Sequence, residues 1–164
     1  MSKDFYTQFI LPYAGIIIKI CRAYTDSEQD FEDYYQEICF QLWKSRGNFK
    51  GNSKWSTWVY RISLNVSLSL LKRDKRLIKK NVELPEIADN LQPEHHLFDD
   101  QALDFLYQAI KKLPDLDKAI ILLYLEEKSY KEIADIIGLS VNNIGVRIIR
   151  IKKKLKTLLD GKIY

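Results

Sequence analysis

Residues 129–155 read Ser129-Tyr-Lys-Glu-Ile-Ala-Asp-Ile-Ile-Gly-Leu-Ser-Val-Asn-Asn-Ile-Gly-Val-Arg-Ile-Ile-Arg-Ile-Lys-Lys-Lys-Leu155. Ser129 followed three positions later by Glu132 is a capping-box pattern, in which hydroxyl and carboxylate satisfy amide protons left unpaired by a first helical turn. Gly138 can take the left-handed conformation that ends a helix, and Ser140 can cap the next one, so the turn between the two helices is short. In the second helix Ile144, Ile148, Ile151, Leu155 and Leu158 recur at intervals of four, three, four and three, one apolar stripe. Arg147, Arg150 and Lys154 lie off that stripe, and Arg147 to Lys156 holds six basic residues and no acidic one. The pattern predicts a helix-turn-helix whose second helix meets DNA. An amphipathic hairpin with solvated charges is the simpler alternative. It does not account for both caps, the short glycine turn and the basic segment coinciding.

Charge along the rest of the chain is strongly segregated, although the net charge of the 164 residues is only +4. From Lys44 to Lys80 eleven basic residues face Asp74 alone; from Asp26 to Glu37 there are six acidic residues and no basic one; Glu83 to Asp100 repeats that acidic count. Such blocks imply separate surfaces for separate partners: basic patches for a polyanion and an acidic helix for a basic protein. A hydrophobic content of 46% supports packed cores and excludes disorder throughout. Cys21 and Cys39 lie in apolar helical contexts without a secretory signal and read as reduced core residues. The apolar run from Phe9 to Cys21 is interrupted by Pro12 and Lys19 and falls short of the about 20 residues that a bilayer requires, so a cytoplasmic protein without a membrane anchor is expected.

Every strongly patterned segment has helical period, which predicts an all-α protein of two small helical domains. A first helix covers Phe5 to Tyr24, bent near Pro12. A second starts at Ser27 or Asp30 and ends at Gly47, with Phe31, Tyr34 or Tyr35, Ile38, Leu42 and Trp43 on its apolar face. A third runs from Ser56 to Arg76, with Val59, Ile62, Val66 and Leu70 on one face. Periodicity fades between Asn81 and Gln101, where Pro85, Pro93 and acidic residues accumulate. The domains expected are therefore 1–80, a linker at 81–101, and 102–164, the last containing a helix from Ala102 to Leu113, a break at Pro114, a helix from Leu116 to Glu126, and the helix-turn-helix. His95 and His96 fall in the linker without the further ligands that a zinc site needs, and read as solvated.

The arrangement resembles bacterial RNA polymerase sigma factors of the extracytoplasmic-function type across nearly the whole chain. The second half carries the family pattern of a leucine-proline, an apolar helix, an acidic residue, then Ser129 to Ser140 and the basic helix with Arg147 and Arg150. In the first half, Asp30-Phe-Glu-Asp-Tyr-Tyr-Gln-Glu-Ile-Cys-Phe-Gln-Leu-Trp43 looks like the family's polymerase-binding helix, and Trp55-Ser-Thr-Trp-Val-Tyr-Arg-Ile-Ser-Leu-Asn65 like its promoter-melting helix. The resemblance implies a region-two domain, a linker that threads into the polymerase, and a region-four domain. It also implies core RNA polymerase and promoter DNA as partners, together with an anti-sigma factor.

Roles follow residue by residue. Asp33, Gln36 and Glu37 share one helical face and can pair with basic groups, while Tyr34 or Phe40 supplies apolar contact; the resemblance makes that partner the coiled coil of the largest polymerase subunit. Asn52, Ser53, Lys54 and Trp55 offer the polar groups and aromatic face that hold a base once it leaves the stack, and the family holds a minus-ten base near this loop. Arg61, Asn65, Lys72, Arg73 and Arg76 would contact backbone or bases there. Trp58 reads instead as a core aromatic, and Tyr60 competes for the same reading. In the recognition helix Ser140, Val141, Asn142, Asn143 and Arg147 sit where base edges of the minus-thirty-five element would be read, with Asn142 and Asn143 suited to adenine and arginine to guanine. Arg150, Lys153 and Lys154 are placed on phosphate. Gly145 departs from the family pattern, in which a longer polar or basic residue is common.

No nucleophile with a histidine partner, phosphate-cradling glycine loop or paired carboxylates outside helical surface runs is present, so no enzyme, cofactor, metal or small-molecule substrate is expected. The rival from another class is a free-standing helix-turn-helix regulator; a small nuclease is a third, enzymatic reading.

Overall fold

The computed structural model describes residues 2–80 and 101–162, and the chain divides into two units, Met1–His95 and His96–Tyr164. The described residues are helical and include no strand. The expected linker, with His95 and His96, lies outside them apart from Gln101.

In the first unit α1 (Lys3–Phe5) passes into a π-helical turn at Tyr6–Ile10 and a 3-10 turn at Leu11–Tyr13, then α2 (Ala14–Tyr24). The expected bend at Pro12 is thus a change of helical hand-over: proline has no N–H to continue the ladder and sits in the first turn of the 3-10 segment. α3 (Glu28–Lys44) begins at Ser27, whose Oγ accepts the Asp30 N–H at 3.1 Å. A 3-10 turn at Arg46–Asn48 and a loop lead to α4 (Trp55–Lys80).

α2, α3 and α4 pack on one another around Ile17, Ile20, Ile38, Leu42, Val59 and Leu64. The stripe expected on α4 needs correction: Val59 is buried, but Ile62, Val66 and Leu70 are only half-buried, while Tyr60, Ser63, Leu64 and Ser67 are buried. Because α4 is packed by both α2 and α3, its buried arc is wide and turned away from the apolar residues. Two serines of this arc, Ser63 and Ser67, are fully buried. Cys21 and Cys39 are free thiols in this core, as expected.

The second unit comprises α5 (Gln101–Lys111), α6 (Asp115–Leu125), α7 (Tyr130–Ile137) and α8 (Val141–Leu159). α6 is buried from Asp117 to Leu123, so the other three helices are laid around it. The capping box forms in full: Ser129 Oγ accepts the Glu132 N–H and Glu132 Oε2 accepts the Ser129 N–H, each at 3.1 Å. Gly138 adopts φ 85°, and the N–H groups of Gly138 and Leu139 both bond the Ala134 carbonyl, a Schellman-type stop. Ser140 then caps α8. Ile144, Ile148, Ile151 and Leu155 are buried as the stripe requires, and Leu158 is half-buried.

Candidate functional site

Three surfaces carry the residues singled out in the sequence. On α3 and α4, Asp30, Asp33, Gln36, Glu37 and Phe40 line a groove of about 530 Å³, closed on the α4 side by Leu70, Arg73 and Asp74. Asp33 is exposed and accepts from Gln29 Nε2 at 3.2 Å; Glu37 accepts from Gln41 Nε2 at 2.9 Å. Both carboxylates are held in place by neutral amides. Phe40 is 45% exposed and is the apolar contact of this face. Tyr34 is not: it is 3% exposed, and its hydroxyl donates to Asp74 Oδ2 at 3.1 Å. Burial and the neighbouring Asp74 carboxylate hold its phenol well above the usual range, so it stays a neutral tie between α3 and α4.

The second surface is the outer face of α4. At about 100° per residue, Arg61, Asn65, Lys72 and Arg76 fall within about 60° of one another, and Asn65, Lys72 and Arg76 are exposed. Arg73 does not belong with them. It is exposed on the groove side and reaches Asp74 Oδ1 at 3.5 Å. Of the loop before α4, Asn52 and Lys54 are exposed and Ser53 is half-buried.

Trp55, expected beside an unstacked base, already has partners within the chain. Its Nε1 donates to the Phe9 carbonyl at 2.7 Å, and its ring meets Phe5, Phe9 and Phe49 edge to face at 6.3, 5.8 and 5.0 Å. With donor and ring edges engaged, Trp55 ties the N-terminal segment to the start of α4. Trp58 stacks obliquely on Phe49 at 5.8 Å, half-buried with its indole nitrogen inside, in keeping with a core role; Tyr60 is buried.

The third surface is α8. Ser140 is a cap, its Oγ accepting the Asn143 N–H at 3.1 Å. Arg147 turns inward: Nη1 donates to Asp117 Oδ1 at 3.0 Å and Nε to Asn143 Oδ1 at 3.1 Å. Asp117 is 9% exposed, so the arginine neutralises a nearly buried carboxylate and fastens α8 to α6. Arg147, expected at a guanine, is thus paired within the free chain, and Asn143 is partly engaged as well. Val141, Asn142, Arg150, Lys153 and Lys154 are exposed.

Periodicity also passes over Val146 and Ile149, which are 60% and 57% exposed on α8. The signal was available in their spacing, out of phase with the buried stripe. Gly145 lies under Tyr130, whose ring carbons would be 3.6 and 3.7 Å from an added Cβ, ordinary contact distances. Among the described residues no group of His, Cys, Asp or Glu has the convergence of a metal site, and no helix is long and apolar enough to cross a membrane.

Residues 9–77 match the family model of sigma-70 region 2, and residues 105–155 that of sigma-70 region 4. The RNA polymerase ECF sigma-E factor of Haemophilus influenzae is 30% identical over 97% of this chain and 89% of its own length. The sigma factor RpoE of Bartonella quintana, solved in complex with the anti-sigma factor NepR, superposes with a TM-score of 0.75 at 20% identity, covering 98% of this chain and 99% of that one. CnrH, solved in complex with the cytosolic domain of CnrY, gives 0.66 at 22% identity, covering 98% and 91%. With regions 2 and 4 in order and a relative matched along almost its entire length, the chain belongs to the extracytoplasmic-function sigma factors, which give RNA polymerase its choice of promoter.

Proposed function

We propose that the three surfaces divide the work of initiation. The acidic groove of α3, through Asp33, Gln36, Glu37 and Phe40, docks core RNA polymerase. The outer face of α4, through Arg61, Asn65, Lys72 and Arg76, engages the minus-ten element, and Asn52, Ser53 and Lys54 hold a base displaced from it. The outward face of α8, through Val141, Asn142, Arg150, Lys153 and Lys154, reads and grips the minus-thirty-five element. On this reading the expected domain limits, 1–80 and 102–164, separate the two promoter contacts, with 81–101 spanning them.

The observation that carries it is the segregation of charge on rigid elements. Asp30, Asp33 and Glu37 gather three carboxylates in the α3 groove, whereas the outer faces of α4 and α8 present mainly basic side chains. Opposite potentials on different helices favour a basic protein at one and a polyanion at the others. No step calls for chemistry by this chain: the polymerase supplies the reaction, and the sigma factor supplies position and strand separation. The sigma factor solved with the anti-sigma factor NepR supports a further partner, an anti-sigma factor that covers one or more of these surfaces.

The test is transcription from a promoter library by core enzyme with and without the chain. Defined start sites are expected only with it. The double substitution Asp33→Lys and Glu37→Lys should weaken association with core enzyme by about tenfold or more, since like charges then face each other, and leave the thermal transition in place. Asn142→Ala should relax sequence choice at the upstream element alone.

A further inference from the structure

We infer that Val146 and Ile149 read thymine C5-methyl groups in the upstream promoter element. The inference rests on α8 being the helix that enters the major groove. The buried residues Ile144, Ile148, Ile151 and Leu155 fix the inward direction of α8. At about 100° per residue, Asn142, Val146, Ile149 and Lys153 lie within about 60° of one another on nearly the opposite side. Val146 and Ile149 are thus the centre of the outward face, at 60% and 57% exposure.

Folding alone gives no reason for them. β-branched residues are poorer helix formers than the lysines of the next turn, and their apolar area remains in water. Their surroundings define what covers them. Asn142 precedes them, Arg150, Lys153 and Lys154 follow, and all four are exposed polar or cationic side chains. A polyanion with apolar points recessed between its phosphates fits that frame, and the thymine methyl is the one apolar group that the major groove presents. The two side chains are separated by about 4.5 Å along the helix axis, comparable with the about 3.4 Å rise of stacked bases.

The experiment uses holoenzyme assembled from core RNA polymerase and the full chain, on promoters in which each upstream thymine is replaced by deoxyuridine, which deletes only the methyl. Activity should fall about fourfold for each methyl that is read, the effect of burying one such group. The Val146→Ala and Ile149→Ala double variant should be weaker on the thymine promoter and indifferent to the replacement, with an unchanged or higher melting temperature. Indifference of the wild-type holoenzyme to every replacement, while Arg150→Ala with Lys153→Ala still removes dependence on the upstream element, overturns the methyl contact alone. Should that basic pair also be dispensable, the major-groove reading itself fails. A double variant that keeps its response to uracil but no longer binds an inhibitory protein would assign the face to that protein and overturn the proposal.

Discussion

Arg147 and Lys153 sit on one helix and serve different ends. Arg147 neutralises Asp117 inside the second unit, whereas Lys153 faces outward. Replacing Arg147 with alanine leaves a nearly buried carboxylate unpaired and is expected to lower stability by about 1–3 kcal/mol in urea unfolding. Lys153→Ala should leave unfolding unchanged and weaken promoter binding. Sequence pattern alone placed both on DNA, because helical spacing tells which residues leave the apolar stripe but not that an aspartate on another helix will claim one of them. Glu127 is a second such case: it takes φ 62° after α6, where glycine would be at ease, and nothing in its neighbours announces this. Glu127→Gly should raise stability by about 0.5–1 kcal/mol, read from the melting temperature.

At the scale of the element, the caps and breaks of the helix-turn-helix were fully legible, since Ser129, Glu132, Gly138 and Ser140 act through bonds to their own neighbours. The buried face of α4 was not. It includes Ser63 and Ser67, both fully buried, and their polarity hides them from a hydrophobic pattern. Ser67→Leu should therefore cost about 1–3 kcal/mol through overpacking. Between α2 and α3, burial pushes the Cys21 thiol up to about 12, with Cys39 close by adding to it, and burial likewise raises Cys39 to about 11. Folding therefore favours the neutral thiols. Their contribution is intact below the ordinary thiol pKa near 9 and is lost as pH rises toward about 11–12. Alkaline titration of stability should show a decline in that window, and native-state alkylation at neutral pH should be slow at both cysteines.

For the whole molecule, opposed charges on separate helices make association with polymerase and with DNA independently tunable. Promoter binding by the holoenzyme should weaken steeply with salt, and each phosphate-contacting residue removed from Arg150, Lys153 and Lys154 should reduce the logarithmic slope by about one. The two-unit helical fold followed from the sequence, whereas the contacts made by Tyr34, Trp55, Arg73 and Arg147 required the packing to be seen. The most direct measurement is start-site mapping on a promoter library with core RNA polymerase, comparing the intact chain with its Asp33→Lys, Glu37→Lys variant. Discrete start sites that appear with the intact chain and vanish with the variant are predicted; identical transcripts with and without the chain would contradict the account.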